Sequence, residues 1–215
     1  MKTPDFRRFR EHVDSIPSKR DSVLIKLLYL TAGRVSEVTT KVTPYDLKYN
    51  LSKPYGRHLD YSIGDYGKEK VLLLKMAVAK RRIKRRNNQP YYKIIALPAH
   101  PRYEPWALDL IKWLRDNRRL SFDLTRNRVY TIVRKWLSPL DPKVRTHSLR
   151  HWRITHLVTE YDFTPYEITA YAGWTFKTGF SQMGMNSGTL DAYLHLIWKQ
   201  YFPKLLKPIQ EILGT

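Results

Sequence analysis

The chain has 215 residues, 42% of them hydrophobic, which is enough for one well-formed core. Its 39 lysines and arginines outnumber 19 acidic residues, and the formal net charge of +20 attracts polyanions, so nucleic acid is the first expected partner. Cysteine is absent, which excludes disulfides, thiolate metal sites and a cysteine nucleophile. We see no apolar signal segment and no apolar run of membrane-spanning length, so we expect a soluble intracellular protein, cytoplasmic or nucleoid-associated, without a membrane partner.

The first part of the chain predicts helices. Residues 5–14 carry apolar side chains at helical spacing. Ser18 is a suitable N-cap for a second helix, which we expect to end near Gly33. A short third helix follows from Val35 and stops before Pro44.

The pattern then changes to that of β-strands. Residues 59–63, 71–79 and 91–97 predict three strands of a small antiparallel sheet. A basic run lies between the last two strands, and no acidic residue occurs from Lys70 to Tyr103. Charge runs are usually solvated loops, but in so basic a chain we interpret this hairpin tip as an arm that contacts DNA phosphates. The residues of this arm are Arg81, Arg82, Lys84, Arg85 and Arg86.

Helical spacing returns in the second half. Pro105 fits the first turn of one helix, and another begins near Thr125. A third contains His147, and Thr164 caps a short helix that ends at Gly173. We therefore expect a mainly α protein with a small antiparallel β-sheet, that is, an α+β fold, forming one domain over residues 1–215.

The richest functional signal is residues 147–151, His-Ser-Leu-Arg-His. This segment and its continuation gather two imidazoles and two guanidiniums without a carboxylate: His147, Arg150, His151 and Arg153. Two histidines four residues apart also suit zinc, but Ser148 stands where a His-Glu-x-x-His helix has glutamate, so we expect no metal. Arg150 also has a plain structural interpretation, as the partner of a buried carboxylate such as Glu37.

Arg34 extends the hypothesis of a phosphate site to a second part of the chain. If Arg34 faces the same pocket as His147 and Arg150, the three side chains offer donors to the non-bridging oxygens of a phosphodiester. Metal-free phosphoryl transfer depends largely on positioning and on neutralising those oxygens. It still needs a nucleophile, and a tyrosine is the natural choice because cysteine is absent and positive charge favours the phenolate.

At these positions the chain resembles the catalytic domain of tyrosine recombinases, the phage-integrase family, of archaeal, viral or plasmid type. Residues 29–38, Tyr-Leu-Thr-Ala-Gly-Arg-Val-Ser-Glu-Val, resemble the family's first arginine box, and residues 147–151 match its His-x-Leu-Arg-His box. Residues 172–175, Ala-Gly-Trp-Thr, resemble the Leu-Gly-His segment, with Trp174 where most members have histidine. Tyr193-Leu194-His195 is similar to the Tyr-x-His around the nucleophile.

The resemblance, which covers residues 5–202, implies an integrase-like catalytic core. The implied catalytic residues are Arg34, Lys80, His147, Arg150, Trp174 and Tyr193, with Glu37 and His151 in support. Tyr193 would attack a DNA phosphodiester to give a 3′-phosphotyrosyl link and a free 5′-hydroxyl. Lys80 would protonate the departing oxygen, and Lys75 and Lys84 are alternatives for that role.

The implied function is site-specific DNA recombination or integration, as in mobile genetic elements, with double-stranded DNA as partner and no metal or other cofactor. The protein would be a monomer or weak oligomer when free and a tetramer on paired DNA sites. A type IB topoisomerase is an alternative, which would relax supercoiled plasmid without a specific site. A catalytically silent DNA-binding module is another.

Two features depart from the family pattern. Tyr193 follows Trp174 by 19 positions, about twice the usual interval in the family, so Tyr201 is a second candidate nucleophile. Only 33 residues precede Arg34, too few for the helical DNA-clamping domain that usually lies upstream. That domain is therefore expected to be absent or to lie outside this sequence.

Overall fold

The computed structural model describes residues 3–41, 55–79, 91–174 and 198–214. The helices in these ranges are α1 (Phe6–Asp14), α2 (Lys19–Leu30), α3 (Val35–Val38), α4 (Pro105–Asn117), α5 (Arg126–Leu137), α6 (Thr146–Thr159), α7 (Pro165–Ala172) and α8 (Ile209–Leu213). The strands are β1 (Asp60–Tyr66), β2 (Glu69–Ala77) and β3 (Tyr92–Pro98). Short 3-10 helices cover Tyr55–His58 and Phe202–Leu206.

Helix α2 is the centre of the core. Every residue from position 21 to position 30 is buried, so this helix is enclosed on all sides and has no solvent-exposed face over that stretch. It packs against α1, α4 and α6. Its buried ammonium, Lys26, is paired with Asp14 and Asp109 at 2.6 Å each, which offsets the cost of burying a charge.

The three strands form an antiparallel meander in the order β1-β2-β3. On β2 the side chains of Leu72, Leu74 and Met76 are buried, whereas Lys75 between them is exposed. This alternation sends one face of the sheet to the core. The predicted mainly α fold with a small antiparallel sheet is confirmed at this level of description.

Local capping explains why the helices begin where the sequence predicts. Ser18 accepts a hydrogen bond from the backbone N–H of Asp21 at 3.4 Å. Thr164 accepts from the N–H of Glu167, whose carboxylate accepts from the N–H of Thr164, a reciprocal capping box. Pro105 occupies the first turn of α4. Among the described helices, none has both the length and the apolar character needed to cross a membrane.

Candidate functional site

The turn that follows α2 determines the position of Arg34. The N–H of Gly33 donates to the carbonyl of Leu28 at 3.0 Å, and Ala32 takes a φ of 44°, in the left-handed region. A Cβ on Gly33 would lie 2.6 Å from Oγ1 of Thr31, which is too close. A side chain just before Arg34 would therefore force the hydroxyl of Thr31 to leave its hydrogen bond to the carbonyl of Leu27.

The carboxylate of Glu37 holds Arg34 in place through two hydrogen bonds. Nη1 of Arg34 donates to Oε1 of Glu37 at 3.1 Å, and the backbone N–H of Arg34 donates to Oε2 at 3.1 Å. The Glu37 side chain has no exposed surface, whereas that of Arg34 is 22% exposed. The carboxylate thus holds the base of the guanidinium while part of it remains open to solvent.

Glu37 also binds the sheet. Its Oε1 accepts from the backbone N–H of Ala79 at 3.0 Å, and Nζ of Lys93 lies 3.4 Å from Oε2. Burial alone would raise the pKa of the Glu37 carboxyl, but Lys93, Arg34 and Arg150 together hold it below its ordinary value. One buried carboxylate is therefore shared by three cations.

Lys93 is a site residue that sequence reasoning missed. Its Nζ donates to the carbonyl of Thr31 at 2.9 Å. Burial lowers the pKa of this ammonium to about 8, partly opposed by the charge of Glu37. The missed signal was strand alternation, which places Lys93 on the inward face with Ile95 and Leu97, where lysine is rare.

Arg150 lies beneath the same turn, on α6. Its Nη1 donates to the carbonyl of Ala32 and its Nη2 to the carbonyl of Ala172, both at 2.6 Å. The side chain is 1% exposed, and burial together with the charge of Arg34 lowers the pKa of Arg150 to about 10. Arg150 therefore joins the exit of α2 to the end of α7. The alternative expectation is that Arg150 pairs with a buried carboxylate such as Glu37. This pairing is wrong, because the hydrogen bonds of Arg150 go to the backbone carbonyls of Ala32 and Ala172 and not to Glu37.

The end of α7 brings Trp174 to Arg150. The Trp174 side chain is 44% exposed, and its ring centroid lies 5.5 Å from Cζ of Arg150. Gly173 makes the turn between α7 and Trp174 possible, because its φ of +68° lies in the left-handed region. A Cβ there would lie 2.9 Å from Cγ2 of Val78 and 3.2 Å from Cδ of Lys93.

His147 completes the group from the first turn of α6. Its ring meets that of His151 edge to face, with centroids 4.6 Å apart and an interplanar angle of 88°. His151 thus packs against His147, and its supporting role in the site stays a prediction. His147 and Arg34 line the same cavity, whose volume is about 250 Å³.

The convergence of positive charge defines what this site can hold. Arg34, His147 and the N-terminal end of α6 all present donors or positive potential to one cavity. None of the described residues that line it carries a carboxylate. Such an arrangement favours an oxyanion with several hydrogen-bond acceptors, such as a phosphate. Among the described residues, no group of three histidine, aspartate or glutamate side chains is placed to hold a metal ion.

Arg153 does not belong to this group, although the sequence placed it there. Its guanidinium is enclosed by aromatic rings, at 5.2 Å from Tyr29, 5.5 Å from Tyr161 and 5.7 Å from Tyr171. Its Nη2 donates to the hydroxyl of Tyr171 at 3.3 Å, whereas Nε and Nη1 have no hydrogen-bond partner in the part of the chain that the structure describes. Arg153 is a core residue.

Tyr201, the second candidate nucleophile, and Lys75, an alternative proton donor, are not part of the site. Tyr201 is 1% exposed, donates to the carbonyl of Ile94 and accepts from the N–H of Ala96, both at 3.1 Å. Burial raises the pKa of its phenol well above the ordinary value, so it is poorly suited to act as a nucleophile. Lys75 lies on the face of the sheet opposite to Lys93, with its ammonium 4.8 Å from the ring of Tyr92.

Several predicted residues lie outside the described ranges. They are Lys80, the basic arm (Arg81, Arg82, Lys84, Arg85 and Arg86) and Tyr193. The described chain before the arm ends at Ala79, whose backbone N–H is bonded to Glu37. The site is therefore built here from Arg34, Glu37, Lys93, His147 and Arg150, with Trp174 at its edge.

Comparison with known proteins identifies no relative: no family model, no curated protein and no solved structure matches this chain.

Proposed function

We propose that this protein is a tyrosine recombinase or integrase that cleaves and rejoins double-stranded DNA through a 3′-phosphotyrosyl intermediate. The observation that carries the proposal is the convergence of Arg34 and His147 on one cavity, with Arg150 directly beneath the turn that aims Arg34. These are the residues of the two sequence boxes, which are more than 100 positions apart in the chain. Their meeting in one place supports a common role.

In the proposed reaction, the phenolate of Tyr193 attacks the phosphorus of a DNA phosphodiester. The bond from phosphorus to the 5′-oxygen breaks, and the DNA is left with a 3′-phosphotyrosyl link and a 5′-hydroxyl. Arg34 and His147 bind the non-bridging oxygens, and the buried charge of Arg150 beneath the turn adds to the positive potential that neutralises them, which is the principal requirement of phosphoryl transfer. The indole of Trp174 adds a further donor. Attack by the 5′-hydroxyl of another strand reverses these steps and releases Tyr193.

The departing 5′-oxygen needs a proton, and Lys80 is proposed as its source. The backbone N–H of Ala79, which directly precedes Lys80, is anchored on Glu37. This contact places the end of the described segment, Ala79, at the carboxylate that holds Arg34. Lys93 has a different role in the proposal, because its ammonium is already held by Glu37 and the carbonyl of Thr31. It positions Glu37 and thereby Arg34.

The partner that follows from this chemistry is duplex DNA. The net charge of +20 favours binding through the release of counterions from the phosphates. In the proposal the basic arm from Arg81 to Arg86 contributes to this binding, and exchange takes place in a tetramer on paired sites. The phosphotyrosyl link conserves the energy of the broken bond, so no nucleotide cofactor is consumed.

The test is covalent capture. Nicked duplexes with randomised sequence around the nick lose a short 5′-hydroxyl strand after cleavage, so a covalent adduct accumulates and survives denaturation. Digestion and mass spectrometry should place the nucleotide on the peptide that contains Tyr193. The Tyr193→Phe variant should form no adduct, while Tyr201→Phe should form it at the wild-type level if it folds. Adduct formation by Tyr193→Phe at the wild-type level would exclude Tyr193.

A further inference from the structure

The cavity extends beyond the residues that the proposed reaction uses. One side is formed by the turn between α2 and α3, and the other by the starts of α5 and α6. The lining residues are Gly33, Arg34, Val35, Ser36, Arg126, Thr146 and His147. Arg126 is the first residue of α5, and no sequence motif connects it with the two boxes.

The size of the cavity exceeds the need of a single oxyanion. Its volume is about 250 Å³, close to the lower limit of about 300 Å³ for pockets that enclose small organic ligands. A tetrahedral phosphate has only five heavy atoms. The proposed reaction assigns one phosphate to Arg34 and His147, and the cavity is also lined by Arg126, Ser36 and Thr146, whose side chains carry hydrogen-bond donors.

The charges favour a second anion. In the described part of the chain, two guanidiniums, an imidazole and two hydroxyl-bearing residues line the cavity, and none of these lining residues is acidic. The carboxylate beneath it, Glu37, is fully buried and bonded to Arg34 and Lys93, so it is already satisfied. Arg126 is partly exposed, as a residue that meets a ligand at the protein surface must be. A planar guanidinium suits the bidentate recognition of a phosphate.

We infer that Arg126, with the hydroxyls of Ser36 and Thr146, forms a second phosphate position, which binds the DNA phosphate next to the one that is cleaved. The inference rests on the proposed function for the identity of the ligand as DNA. A single phosphate contact leaves the strand free to shift by one nucleotide, whereas two neighbouring contacts fix its register. Arg126 is therefore a positioning residue that determines which phosphodiester reaches Arg34 and His147.

The binding test needs no cleavage. Two probes of equal size are compared by NMR titration at about 0.15 M ionic strength: the trinucleotide d(TpTpT), and the same trinucleotide with one phosphodiester replaced by a neutral methylphosphonate. The wild-type protein should bind the doubly charged probe about tenfold more tightly, the effect of one charge-assisted contact. Arg126→Gln should abolish this preference, and Arg126→Lys should retain part of it.

Arg128→Gln is the matched control, because Arg128 lies two residues further along α5, is exposed and does not line the cavity. It removes the same charge and should keep the wild-type preference. A tenfold preference that persists in a folded Arg126→Gln protein would overturn the inference, as would an equal loss in Arg128→Gln. Thermal unfolding measures whether each variant is folded. If Arg126→Gln does not fold, the binding preference of Arg126→Lys tests the inference instead.

Cleavage provides the second measurement. On a trapped duplex the wild-type protein should cut one phosphodiester, whereas Arg126→Gln should also cut its neighbours. Cleavage by Arg126→Gln at the wild-type position alone would contradict the inference and leave the proposed function intact. If no DNA gives an adduct and the trinucleotide preference still depends on Arg126, the recombinase function is wrong and the second phosphate position stands.

Discussion

Nζ of Lys93 lies 3.4 Å from Oε2 of Glu37, and this fully buried pair connects the sheet to the turn that carries Arg34. Lys93 comes from β3 and Glu37 from α3. The pair is not isolated, since Glu37 also accepts hydrogen bonds from Arg34 and from the N–H of Ala79. The geometry of the arginine site therefore depends on a carboxylate that does not itself line the cavity.

Replacing the Glu37 carboxylate should destabilise the protein, because the neighbouring cations then repel one another without a compensating negative charge. Glu37→Gln leaves Lys93, Arg34 and Arg150 without their shared negative charge, and the free energy of unfolding should fall by about 3 kcal/mol. In the double variant with Lys93→Met, part of this loss should return, because the unpaired ammonium is gone. Urea denaturation of the four proteins of this cycle measures the coupling between the two residues. Strictly additive losses would show that Glu37 and Lys93 do not interact.

Gly173 should not tolerate a side chain. Its φ of +68° disfavours any L-residue, and a Cβ would meet Val78 at 2.9 Å. Gly173→Ala should therefore lower the free energy of unfolding by about 2 kcal/mol or more. Gly67→Ala is the control, because Gly67 has a similar φ of +61° with nothing within 4 Å of the added Cβ. It should cost only about 1 kcal/mol, and equal losses for the two variants would count against the close contact at Gly173.

His156 should make stability depend on pH. Burial, with the charges of Arg153 and Arg10, lowers the pKa of this imidazole to about 4. The unfolded chain then binds the proton more readily than the folded one, so stability present above the ordinary pKa of about 6.5 is lost as the pH falls toward 4. The loss should reach about 3 kcal/mol.

Urea titrations from pH 4 to pH 8 measure this effect. The difference in unfolding free energy between the wild type and His156→Phe should change across that window, and it should be largest at the upper end, where the neutral imidazole stabilises the folded protein. A pH-independent difference between wild type and His156→Phe would refute the assignment.

The source of the leaving-group proton can be identified with a sulfur substrate. A 5′-bridging sulfur departs as a thiolate, whose conjugate acid has a pKa near 8.5, so it needs little protonation. Lys80→Met should cleave ordinary DNA slowly and the sulfur substrate at nearly the wild-type rate. Lys93→Met should cleave both slowly, because its loss disturbs Glu37 and Arg34. The reverse result would assign the proton donor to Lys93.

The sequence predicted the helices and strands well where local chemistry determines them. Ser18 and Thr164 cap helices as expected because capping involves only the next three residues. Strand alternation likewise predicted the three-stranded sheet. Neither signal depends on how distant parts of the chain meet.

The candidate site was predictable in part, through the boxes around Arg34 and Arg150. The pairing of Lys93 with Glu37 required the register of β3 against β2, and Arg126 required the position of α5 against α3. Arg153 was misplaced because residues three apart on a helix point in similar directions, and only the surrounding rings of Tyr29 and Tyr161 show that it belongs to the core.

The central claim, that this cavity performs phosphodiester chemistry, is tested most directly by comparing cleavage and binding in Arg150→Ala. The rate of adduct formation from bound DNA should fall by about 100-fold or more, since Arg150 neutralises charge in the transition state. DNA affinity should change only a few-fold, because Arg150 is buried beneath the turn that carries Arg34 and most of the affinity comes from the many exposed phosphate contacts. Arg128→Ala, at an exposed position on α5, should leave the rate of cleavage of bound DNA unchanged. Equal losses of binding and cleavage in a folded Arg150→Ala protein would contradict the claim, because they would show that Arg150 has no separate role in the chemical step.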